Sequence, residues 1–125
     1  MKVEHFLGSI EVSNMNELQD VLCITTKEKV NEFWISGIDN YPCLCISVNN
    51  GLAHVHYFED EGEPGFQAVG HLDLNEDMII FFTNNASEKI EIEKEYVVKI
   101  EDAIKIACDF CEFQQLPECA EWDEL

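Results

Sequence analysis

The 125-residue sequence contains no arginine. Its seven basic residues, all lysine, stand against 26 aspartates and glutamates, for a formal net charge of −19 with histidines neutral. Nucleic-acid binding needs Lys and Arg to displace counterions from phosphates, and anionic lipid surfaces need the same. Both are therefore excluded as direct partners. A bidentate clamp on a phosphate or carboxylate substrate is missing with the arginines. No stretch approaches the roughly 18 apolar residues of a membrane span. Met1–Gly8 places Glu4 and His5 where a signal peptide needs an apolar run, so the chain is expected in the cytosol. Thiols there stay reduced, so the six cysteines are expected free despite their even number. The sequon Asn85-Ala86-Ser87 then carries no meaning. There is also no Gly-rich phosphate loop, no G-x-S-x-G elbow and no H-E-x-x-H helix. No catalytic residue is assigned, and the chain is not expected to be an enzyme.

What is present suits one folded domain over residues 1–125, with 46% hydrophobic residues. Gly8–Val12 alternates and predicts a first strand. Ser13 or Asn14, with Glu17 behind, caps a helix over about 14–25, where Met15, Leu18, Val21 and Leu22 share a face. Phe33-Trp34-Ile35 predicts a strand. Cys43–Val48 and Leu52–Phe58 flank Asn49-Asn50-Gly51, residues that tolerate positive φ, and predict a β-hairpin. Phe66–Gly70 predicts a short strand, Met78–Phe82 a buried strand, and Lys89–Glu93 a strand with one acidic face. Ile100, Ala103, Ile104, Ala107 and Cys111 recur at three and four, predicting a helix over about 100–114. In the tail, Trp122 and Leu125 are expected to anchor on the body. The fold class expected is α+β: a mainly antiparallel sheet of about five to seven strands with an N-terminal and a C-terminal helix.

Between Lys29 and Lys89 there is no basic residue and there are ten acids. A solvated acidic surface is the simpler reading. Self-repulsion opposes compaction, however, so attraction of a basic protein or a metal ion is the other. Cys43-x-Cys45 and Cys108-x-x-Cys111 could supply four thiolates to zinc, but both pairs fall inside regular elements, and core packing explains them as well. His54 and His56 share a strand face, which suits a metal weakly and a cross-strand or interface position better. Asp73-x-Asn75-x-Asp77 imitates a calcium loop but lacks its Gly and its final Glu. No metal site and no cofactor are assigned.

Two stretches carry a resemblance. One runs from Tyr41-Pro42-Cys43-Leu44-Cys45-Ile46 through Ala53-His54-Val55-His56-Tyr57-Phe58 to Pro64-Gly65-Phe66. The other is Val97-Val98, the helix Glu101–Phe110, Pro117, and Glu121-Trp122-Asp123-Glu124-Leu125. Together they resemble the first-numbered immunity-protein family of bacterial polymorphic toxin systems, whose members usually accompany deaminase-fold toxins. The resemblance implies a non-catalytic protein that binds a cognate toxin and blocks its active-site cleft. The partner implied is a zinc deaminase with a basic substrate cleft, to which a −19 surface is attracted. The interface expected from exposure, charge and family location is the loop Glu59, Asp60, Glu61 and Glu63, with His56, Tyr57, Phe58 and Phe66 beside it. For Tyr57 and Phe66 the sheet core is the alternative position. The alternative function is an acidic decoy that mimics nucleic acid and binds several basic proteins.

Overall fold

The structure, a computed structural model, describes residues 1–125. In chain order its elements are β1 (Lys2–His5), β2 (Gly8–Glu11), α1 (Met15–Val21), β3 (Val30–Ser36), β4 (Cys43–Asn49), β5 (Leu52–Phe58), β6 (Phe66–Ala68), β7 (Met78–Phe82), β8 (Lys89–Glu93), β9 (Val98–Lys99), α2 (Ile100–Phe113) and β10 (Trp122–Glu124). A single 3₁₀ turn over Lys94–Tyr96 leads into β9. The α+β class and both helices are borne out. The strands outnumber the expectation because β1, β9 and β10 are short segments that pairing, not sequence pattern, makes extended.

The hairpin β4–β5 is the centre of the molecule. Asn50 and Gly51 take φ of 51° and 84°, the positive values a two-residue type I′ turn demands. The turn fixes the register from Asn49 opposite Leu52 to Cys43 opposite Phe58. Around the hairpin the main sheet runs β10-β6-β5-β4-β3-β1-β2, every pair antiparallel, with β9 also on β5.

Strand pleat divides this sheet into two faces. Val3, Phe33, Ile35, Leu44, Ile46, Val48, Ala53, Val55 and Tyr57 all point to one side, where α1 and α2 cover them. Helix α2 contributes Ala103, Ile106, Ala107 and Phe110 to that core. Helix α1 starts where expected: Asn14 Oδ1 accepts from the Glu17 N–H at 2.9 Å, and Glu17 Oε2 accepts from the Ser13 N–H at 3.0 Å. It ends at Val21, short of the expected 25, because the β-branched run Ile24-Thr25-Thr26 favours extended backbone.

The second face is only partly covered, by the two-stranded ribbon β7–β8. Here Met78–Phe82 corrects the expectation of a buried strand. Phe81 is fully buried, but Met78 and Ile80 are about 40% exposed, at 41% and 40%. The segment pairs with β8 alone, so its alternate residues face solvent. Strand β8 behaves as expected, with Ile90 and Ile92 half-buried and its charged residues outward. In the tail, Trp122 packs on the core and donates its indole N–H to Pro117 O at 2.8 Å. Leu125 is not an anchor: its side chain is exposed, and only its backbone N–H is held, by Gly65 O at 2.9 Å.

Candidate functional site

The second face carries the polar and aromatic residues of β3, β4 and β5, and its uncovered part shows Trp34, His56 and Phe58. Register places Trp34, Cys45 and His56 in one row across the three strands, with Cys43 and Phe58 in the next. Three rings form a ladder: His56 stacks on Phe58 with centroids 4.0 Å apart at 14°, and Phe58 lies 5.9 Å from Trp34 at 18°. Stacked rings of this kind present a large rigid apolar surface of the sort that anchors protein interfaces.

The acidic loop leaves β5 beside this ladder. Glu59, Asp60, Glu61 and Glu63 are all exposed. Two bonds tie the loop down: His56 Nε2 to Pro64 O at 2.6 Å, and the Tyr57 hydroxyl donating to Glu59 Oε2. Gly65 (φ 82°) passes so close to β5 that a Cβ there would overlap Tyr57 O and press on the His56 ring. The structure therefore brings His56, Phe58 and the four loop acids together. Tyr57 and Phe66 take the alternative expected for them, the sheet core. They occupy the opposite, helix-covered face, where Tyr57 is fully buried and sits 6.2 Å from Phe66 and 6.1 Å from Phe110. The cause is the strand period of two: Tyr57 alternates with His56 and Phe58, and Phe66 pairs opposite Tyr57. Burial and the bond to Glu59 push the Tyr57 phenol pKa up.

Three further residues belong to this face and escape sequence reasoning. Trp34 is 38% exposed on it. Glu4 lies directly opposite Trp34 in register. Glu32 precedes Trp34 by two and is only 4% exposed. Trp34 separates two clefts. One, of about 320 Å³, is lined by Lys2, Glu4, Trp34, Tyr41, Cys43 and Glu61 among others. The other, of about 230 Å³, is lined by Glu4, His5, Phe6, Glu32, Trp34 and Asn84. The only signal in the sequence was alternation: Glu32, Trp34 and Ser36 share one face of β3.

The histidines and cysteines have structural positions. His54 lies under Phe81 and bonds Gln67 Oε1 at 2.7 Å through Nε2. Burial lowers its pKa to about 4. Burial also lowers His56, against the opposing pull of Pro64 O. Cys43 and Cys45 lie on the open face, whereas Cys108 and Cys111 pack on the helix-covered core, so the sheet separates the two pairs. All six cysteines are free, and burial raises Cys43 and Cys111 to about 11. No group of three or more His, Cys, Asp or Glu side chains converges on a metal-sized position. No helix is long and apolar enough to cross a membrane.

No protein-family model matches the chain. Among curated proteins it is 29% identical to the double-stranded DNA deaminase immunity protein of Burkholderia cenocepacia (strain H111), over 130 aligned positions that cover all of both chains. The chain is thus similar from end to end to a deaminase immunity protein, including both stretches from which the family resemblance was read.

Proposed function

We propose that this chain is an immunity protein that binds a cognate bacterial deaminase toxin in the cytosol and neutralises it by covering its nucleic-acid cleft. The observation that carries this reading is the end-to-end similarity to a protein of that role. The geometry supports it. An open sheet face with a three-ring ladder and a rim of carboxylates suits a partner whose cleft is basic and shaped for a nucleic acid. The −19 charge accelerates encounter with such a cleft, and the rings supply desolvated contacts that hold once salt screens the charge. On this reading the chain turns nothing over, and the zinc of the system belongs to the partner.

The test is affinity capture with this protein from lysate of its native host, washed at moderate and then high salt. Any retained protein is identified and assayed for deamination of single- and double-stranded DNA and of RNA, with and without added immunity protein. One deaminase that stays through high salt and is silenced at equimolar addition supports the reading. A spread of nucleic-acid-binding proteins released by salt would replace it with the acidic decoy.

A further inference from the structure

Glu32 is a buried carboxylate that no cation of this chain neutralises. The ion pairs join the N-terminus to Glu11, Lys2 to Glu4, His71 to Glu121 and Lys94 to Asp77, and none reaches Glu32. Its Oε1 accepts two neutral donors, the Trp34 indole N–H and the Asn84 backbone N–H, each at 3.1 Å. The thiol of Cys45 is a further neighbour and brings no positive charge. Burying a carboxylate without an opposite charge is costly. The cost is retained here beside an opening, the cleft of about 230 Å³ bounded by Glu4, His5, Phe6, Trp34 and Asn84.

Charge around this cleft is countable. Glu4 lies diagonally across from Glu32 on the same face, about 7–8 Å away by strand geometry. Lys2 Nζ holds Glu4 at 2.8 Å, and His5 is biased toward its neutral form by burial. Among the lining residues and Lys2, two carboxylates and one ammonium leave one negative charge uncompensated, and Glu88, which accepts from Asn84 Nδ2 at 2.9 Å, adds a further carboxylate at the rim. The cleft continues directly into the ring ladder through Trp34.

We propose that this cleft is the receptor for a single arginine side chain projecting from the partner protein. A guanidinium carries one charge and stacks on an indole. Its flat fork of donors reaches two separated carboxylates, and it is less strongly hydrated than an ammonium. That the partner is a deaminase toxin rests on the immunity reading; the preference of the cleft for guanidinium does not.

The test needs no toxin. The chain has two tryptophans and so two indole N–H signals, assigned with Trp34→Phe and Trp122→Phe variants. Nα-acetyl-arginine amide, titrated into the intact protein, is expected to move the Trp34 signal saturably, with a Kd on the order of 10 mM for so small a ligand. The Trp122 signal is expected to stay in place. Nα-acetyl-lysine amide is expected to bind about threefold or more weakly. Glu32→Gln keeps the acceptor for both N–H groups and is expected to weaken arginine-amide binding about tenfold while the protein stays folded by near-UV circular dichroism. An unresponsive Trp34, equal response to the two amides, or undiminished binding by folded Glu32→Gln each overturns the proposal. Saturable, Glu32-dependent binding without any toxin captured would sustain the cleft's ligand chemistry and remove the immunity reading alone.

Discussion

Glu32 and Trp34 stand two residues apart on one strand, and the indole N–H of Trp34 donates to the Glu32 carboxylate at 3.1 Å. This bond orients the ring that ends the aromatic ladder. The same carboxylate oxygen takes the Asn84 N–H and so fastens the tip of the β7–β8 ribbon to the sheet. One side chain therefore holds both the exposed ring and the tip of the ribbon that covers part of the face.

Glu32→Ala is expected to lower stability by about 2–3 kcal/mol, because both donors lose their acceptor in a buried place. Glu32→Gln is expected to cost less than half of that. Urea denaturation of the two variants checks the ordering. Equal costs would mean that the charge, not the acceptor, holds the ribbon.

Reversing Asp60, Glu61 and Glu63 to Lys is expected to weaken partner affinity about tenfold or more at low salt, with the gap closing at high salt. Folding is expected to survive, since all three are exposed. Glu59 is left intact because it accepts the hydroxyl of buried Tyr57. Association rates at two ionic strengths give the readout. A salt-independent loss would point to a packing contact instead of steering.

Acid is expected to destabilise the fold through His54. Its pKa is about 4 in the fold and 6.5 as the ordinary value, so the unfolded chain takes up the proton first as pH falls. The stability from keeping His54 neutral is full above 6.5, declines through the interval, and is lost by about 4. The loss is on the order of 3 kcal/mol at most. Unfolding midpoints from pH 7 to 4.5 should fall more steeply for the wild type than for His54→Gln. Parallel slopes would assign the acid sensitivity to other groups.

Gly65→Ala is expected to cost about 2–4 kcal/mol, since it combines a positive φ with overlap onto Tyr57 O. The His56–Pro64 bond is expected to break with it. Thermal unfolding reports the first effect, and a shift of the His56 ring signals reports the second.

The parts of the fold legible in the sequence are those whose signal is local. Asn50-Gly51 dictates its turn whatever surrounds it, and α2 repeats its apolar residues at three and four over fourteen positions. Strands β1, β9 and β10 were not legible, because two to four residues become extended only when a neighbour pairs with them. The site was half legible. Exposure and charge mark His56, Phe58 and the loop acids, which the structure places side by side. For Tyr57 and Phe66 the sequence leaves interface and sheet core open, and alternation with His56 and Phe58 puts Tyr57, with Phe66 opposite it, on the core side. Trp34 was hidden in Phe33-Trp34-Ile35, which reads as one apolar run. Glu32 was counted only as charge, since burial of an acid has no signature in sequence.

The two-faced sheet has a consequence for how such a protein changes over generations. On β3 and β5 the helix-side residues Phe33, Val55 and Tyr57 are each followed by a residue of the other face, Trp34, His56 and Phe58. Replacing Trp34, His56 or Phe58 leaves Phe33, Val55 and Tyr57 where they are. On the immunity reading, this face can therefore change one residue at a time without rebuilding the body that displays it.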